Sequence, residues 1–168
     1  MATIASQPMR QLIRPQPYDR ILAAVAGALL LVFAAALARG HAQWNDVPAV
    51  VWAHLATIAA ALALSPVMLL RRRGDRLHRI LGYVWVSSMV LTAALSFGIR
   101  GINGAGLSWI HILSALTIVQ APRIVITARR KQHQKHRAAV RTLITGALVI
   151  AGVFTLVPSR LLGHWLFA

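Results

Sequence analysis

Two stretches of the sequence, WAHLATIAAALALSPVMLLRRRGDRLHR at residues 52–79 and WIHILSALTIVQAPRIVITARRKQHQKHR at residues 109–137, carry the same signals in the same order. Each opens on Trp-x-His, Trp52 to His54 and Trp109 to His111. Each then places a proline, Pro66 or Pro122, 12 or 11 residues beyond that histidine. A basic turn follows, Arg71-Arg72-Arg73 or Arg129-Arg130-Lys131, and then a His-Arg pair, His78-Arg79 or His136-Arg137. Hydrophobic helices with basic turns resemble one another by composition alone, but an ordered match of Trp, His, Pro and His-Arg reads as an internal duplication.

Each unit holds two runs long enough to cross a bilayer, which needs about 20 apolar residues per helix. With one run before them, the chain offers five: Ile21 to Ala38, Val47 to Leu70, Leu77 to Ile99, Gly106 to Ala128 and Arg137 to Val157. The expected fold is an all-α integral membrane protein with five transmembrane helices. Spans 2–5 are expected to form a pseudo-twofold four-helix bundle from the tandem two-helix repeat, about 47–99 and about 104–157. Two copies of two spans each enter the membrane from the same side, so the relating axis lies along the membrane normal. Residues 1–20 read as a cytoplasmic N-terminal tail and 21–168 as one transmembrane domain. The Ala36-Leu37-Ala38 at the end of the first run looks like a signal-peptide cleavage site, but the run exceeds the usual h-region. It is read as a retained, peripheral span.

Composition supports this class. Of 168 residues, 58% are apolar and 12% charged, and the mean hydropathy is +0.65. The net charge of +15 points first to nucleic acid, yet the cations sort by membrane side. Fifteen of the 18 Lys and Arg fall on the side of the N-terminus and the two basic turns, leaving Arg39, Arg100 and Arg160 on the other. Because cytoplasmic loops carry the Lys/Arg excess, the N-terminus is expected inside and the C-terminus outside a bacterial inner membrane. The basic turns are expected to attract anionic lipids, not nucleic acid.

Only three acids occur, Asp19, Asp46 and Asp75, and no cysteine. Paired-carboxylate catalysis, carboxylate di-iron centres, disulfides, iron–sulfur clusters and covalent c-type haem therefore lack their ligands. Histidine remains, with seven copies. At about 1.5 Å rise per residue, His54 and His111 lie at one depth near the outer edge, and His78 and His136 share a level at the inner edge. Bis-histidine ligation of haem iron needs two imidazoles on facing helices at equal height, with small residues making room. Span 2 is rich in Ala, and Gly82, Gly146 and Gly152 lie on the later spans. Arg79 and Arg137 are candidates for the propionates of an inner haem. The competing readings are interhelical hydrogen bonding for His54 and His111, to groups such as Ser114 or Thr57, and lipid phosphate binding for His78 and His136. The His133-to-His136 spacing lacks the partner carboxylate of helical metal sites. The Trp residues at 44, 52, 109 and 165 read as an outer aromatic belt.

This layout resembles the transmembrane di-haem b-type cytochromes of the b561 kind, in which a four-helix core holds one haem between its first and third helices and one between its second and fourth. By position, the resemblance implies an outer haem on His54 and His111 and an inner one on His78 and His136. A closer sequence resemblance, over about residues 50–158, is to the bacterial membrane proteins grouped as domain of unknown function 2306. It rests on His54, the stretch Leu77-His78-Arg79-Ile80-Leu81-Gly82-Tyr83-Val84, His111, and His136-Arg137 with Arg141. The chain departs from that family at Ser65-Pro66, where Gly-Pro is usual, and at Ala138-Ala139-Val140, where an aromatic and Met are usual. That family implies an architecture and no activity.

The sequence thus leads to an electron carrier with haem b at two sites, exchanging electrons with quinol or a redox partner protein. The alternative is a cofactor-free structural or anionic-lipid-interacting membrane protein, or a subunit of a larger complex. Either is compatible with a homodimer. A transporter or channel is disfavoured, since no span carries an obvious acid for proton coupling or an ion filter.

Overall fold

The first helix begins where Pro17 presets the helical φ, a residue that suits this position because its missing N–H would have no partner there. The preceding Gln16 donates its backbone N–H to Asp19 Oδ2 at 2.9 Å, closing a capping box. Helix α1 (Pro17–Arg39) then continues as a 3-10 turn over Gly40–Asp46. Helices α2 (Ala49–Leu70), α3 (Arg76–Ser96) and α4 (Ile110–Arg129) follow. Helix α5 (His133–Leu143) passes through a π-helical stretch, Ile144–Ile150, into a last α-helical turn, Ala151–Thr155. A short helix α6 (Leu161–Phe167) closes the chain. This computed structural model describes residues 14–99 and 110–168. Trp109, Arg10, Arg100 and the expected start of span 4 at Gly106 lie outside them.

The chain is all-α, with five helices among the described residues long and apolar enough to cross a membrane: Pro17–Asp46, Ala49–Leu70, Arg76–Ser96, His111–Arg129 and His133–Thr155. Each packs on the next in sequence, so α2 with α3 and α4 with α5 make two helical hairpins. Helix α1 packs on α2 and also on the π-helical part of α5, completing the bundle. It is more integral than the peripheral span expected from the sequence. Leu22, Ala23, Ala26, Phe33 and Ala36 are all buried, because their small or apolar side chains meet other helices and not lipid.

The interior has two apolar clusters. Toward the basic turns, Leu22, Leu62, Leu69, Trp85, Met89, Ile124, Leu143 and Leu148 bring all five spans together. At the other end, Phe33, Ala36 and Leu55 pack with Leu162 and Trp165 of α6. Gly40 permits this second contact, since a Cβ there would run into the Trp165 ring. Ser65 shows what the Ser65-Pro66 departure does. Its hydroxyl donates to the Ala61 carbonyl at 2.7 Å and accepts from Trp85 Nε1–H at 2.9 Å, tying α2 to α3 beside the proline.

The two basic turns differ in backbone. The first turns through Gly74 at φ +94°, a left-handed conformation that glycine adopts without steric cost. The second places Lys131 at φ 54°. Asp75 then caps α3, accepting from the His78 backbone N–H at 2.6 Å and pairing with Arg71 at 2.7 Å. These bonds to Arg71 and to the helix N-terminus hold the exposed Asp75 carboxyl below its ordinary pKa of 3.8.

Candidate functional site

His54 and His111 line one cavity of about 470 Å3. Its inner floor is made by Leu62, Met89 and Leu148 of the all-span cluster, and its outer wall by Phe33, Leu55 and Leu162. The π-helical stretch contributes Ala147 and Leu148, and Gly152 follows one turn later. Small-molecule sites typically occupy about 300–1,000 Å3 and are mostly apolar with a few placed polar groups. The few here are His54, His111, Thr92, Ser96, Ser114, Thr117, Asp46 and Arg160, with Thr155 and Ser159 beside them.

His54 sits five residues beyond the start of α2 and is half-buried. Its Nδ1–H donates to the Thr92 carbonyl of α3 at 3.0 Å, which leaves Nε2 as the nitrogen with a lone pair. Metal-ligating histidines commonly fix their tautomer and ring this way, through a carbonyl on the far nitrogen. Thr92 is itself tied back, its hydroxyl donating to Thr57 Oγ1 at 2.8 Å. His111 lies in the first turn of α4 and is 9% exposed. Its Nε2–H donates to the Ser96 carbonyl at 3.2 Å, and its ring lies against Phe97 with centroids 5.5 Å apart. The Ser96 hydroxyl in turn donates to Ser114 Oγ at 2.7 Å. Both histidines thus bridge to α3 and share a cavity, so the outer pair inferred from the repeat is brought together.

The inner pair is arranged differently. His136 donates Nδ1–H to the Ile124 carbonyl at 3.0 Å, leaving Nε2 with its lone pair. His78 keeps Nδ1 buried without a hydrogen-bond partner among the described residues. The two lie within electrostatic range of each other, but neither lines the outer cavity. Arg79 is exposed. Arg137 is buried and donates to the Arg14 carbonyl at 3.3 Å. Among the described residues no three His, Cys, Asp or Glu side chains cluster as a metal-ion site.

Sequence reading missed the ion-pair hub at the inner end. Asp19, in the segment expected as tail, is fully buried. Its Oδ2 pairs with Arg73 at 2.7 Å and its Oδ1 with Arg141 at 2.8 Å. Arg141 also donates to Gln16 Oε1 at 2.8 Å and lies over the Tyr18 ring, 5.2 Å from its centroid. The hub clamps the start of α1 to the first basic turn and to α5. A capping signal, Gln16 with Asp19 around Pro17, was present in the sequence; its long-range partners were not.

No protein-family model matches the chain, and neither a curated protein nor a solved structure does.

Proposed function

We propose that the chain is a multi-pass b-type cytochrome of a bacterial inner membrane, with its N-terminus cytoplasmic and its C-terminus outside. It carries electrons between a quinol or redox partner protein on one face and an acceptor at the other. The observation that carries this reading is the shared cavity of His54 and His111, with His54 Nδ1 held by the Thr92 carbonyl.

The donor set fits haem. Two imidazoles on one mostly aliphatic cavity with no competing thiolate suit bis-histidine ligation, His54 offering its Nε2 and His111 keeping its Nε2–H on the Ser96 carbonyl. Haem b, when bound, supplies the one-electron couple. The residues do the rest: His54 and His111 hold the outer site, and the Thr92 and Ser96 carbonyls orient their rings. Leu62, Met89 and Leu148 exclude water from the floor. At the inner site His78 and His136 would hold the group, and the Nδ1 of His78 is buried with no hydrogen-bond partner among the described residues. Arg137 and Arg79 supply positive charge on that side. The resemblance of the histidine layout to the b561 kind agrees with this reading and adds no independent weight to it, and the resemblance to domain of unknown function 2306 implies no activity.

A second reading is favoured by one observation. The hydrogen bonds of His54 and His111 to carbonyls of α3 are interhelical glue sufficient to explain both residues without a cofactor. The protein is then a structural or anionic-lipid-binding membrane protein. The two separate on the reduced-minus-oxidised spectrum of detergent-purified protein and of two variants. The cytochrome reading expects a b-type α-band that His54→Ala halves, with His78→Ala removing the other half. A featureless spectrum from haem-replete cells overturns it and leaves the second reading.

A further inference from the structure

Arg160 stands on the wall of the outer cavity, and the histidine chemistry does not use it. It precedes α6 and lines the cavity beside Ser159, Leu161 and Leu162. Its Nη1 is buried and has no hydrogen-bond partner among the described residues. A guanidinium carries five N–H donors and cannot lose its charge, so a buried donor left unmade is a cost that native structures rarely leave uncompensated. The ion pairs of the described residues use Arg71, Arg73 and Arg141, not Arg160. Asp46, the acid that lines the cavity, is exposed at its rim and forms none of those pairs.

We propose that Arg160 anchors the carboxylate of an otherwise apolar ligand in this cavity. Three observations meet here. The wall is aliphatic over most of its extent, so the body of the ligand is apolar. The unmade donor belongs to a planar fork whose geometry matches a carboxylate bidentately. The anchor itself is held in place: Trp165 of α6 is buried against Gly40 and donates Nε1–H to Gln43 Oε1 at 2.8 Å, fixing the segment that starts at Arg160. The carboxylate has two sources, a haem propionate or a free fatty acid. The first rests on the cytochrome reading and the second does not.

The test uses the full chain in non-ionic detergent as wild type, Arg160→Gln and Arg160→Lys, with helical content and unliganded melting compared first. In one arm, haem b and its dimethyl ester are titrated by Soret absorbance. Arg160→Gln is expected to weaken haem b about tenfold, the scale of one hydrogen bond to a charged group. Arg160→Lys recovers part of that loss, and the ester binds all three proteins alike. In the other arm, oleate and methyl oleate are compared by the shift in melting temperature that a native-state ligand produces. Oleate is expected to raise the melting temperature of the wild type and not of Arg160→Gln, with methyl oleate indifferent to the substitution.

Haem binding by all three proteins, with Arg160→Gln indifferent to both acids, overturns this inference and leaves the cytochrome reading intact. No haem binding, but stabilisation by oleate that depends on Arg160, overturns the cytochrome reading and supports this inference. Failure of the wild type to take up either acid overturns both.

Discussion

Asp19 is fully buried between Arg73 and Arg141, residues 54 and 122 positions away, and it ties the start of α1 to the first basic turn and to α5. Removing one partner of a buried ion pair leaves uncompensated charge and costs about 3–5 kcal/mol. Because both guanidiniums keep some access to solvent, Asp19→Ala is expected to cost about 3 kcal/mol in reversible unfolding in detergent. Asp46→Ala, at an exposed carboxylate, is expected to leave stability unchanged by the same measurement. Gly40 makes the complementary case in packing. Gly40→Leu drives a side chain into the Trp165 ring and should release α6, seen as a red-shifted Trp emission and faster proteolysis after Arg160. Gly27→Leu, at a helical glycine with open space beside it, should change neither.

At the scale of elements, the Asp75 cap makes α3 sensitive to acid. Its folded pKa is depressed, so its stabilisation is complete above the unfolded value near 3.8 and fades as pH falls through the lower folded value. The melting temperatures of wild type and Asp75→Ala should therefore differ at neutral pH and draw together as the pH falls below 3.8 and through the lower folded value. Span positions were legible in the sequence because an apolar run of about 20 residues has few other uses. The start of α1 at Pro17, four residues before Ile21, followed from capping chemistry that a hydropathy count does not weigh. The π-helical stretch Ile144–Ile150 was invisible, since an all-apolar window such as ITGALVI carries no contrast from which a change of period can be read.

At the scale of the whole molecule, the repeat led to the expectation that His54 and His111 share one level, and both line one cavity. It did not foretell that both histidines lean on α3, through Thr92 and Ser96, because a sequence repeat fixes order and depth but not the rotation of each helix. Arg160 read as one outer cation among three; only packing reveals a buried Nη1 without a hydrogen-bond partner among the described residues. Gathering Arg14, Arg73, Arg137 and Arg141 at one end, with α6 and the cavity at the other, gives the molecule a strongly polar axis. By the positive-inside rule, alkaline phosphatase fused after Ala168 should be active, and fused after Arg130 inactive. The central claim is haem on histidine pairs, and the pyridine hemochrome assay on protein purified from haem-replete cells tests it most directly. The account predicts about two haems per chain, falling to about one in His54→Ala, as expected for two bis-histidine sites; a wild-type content indistinguishable from zero contradicts it.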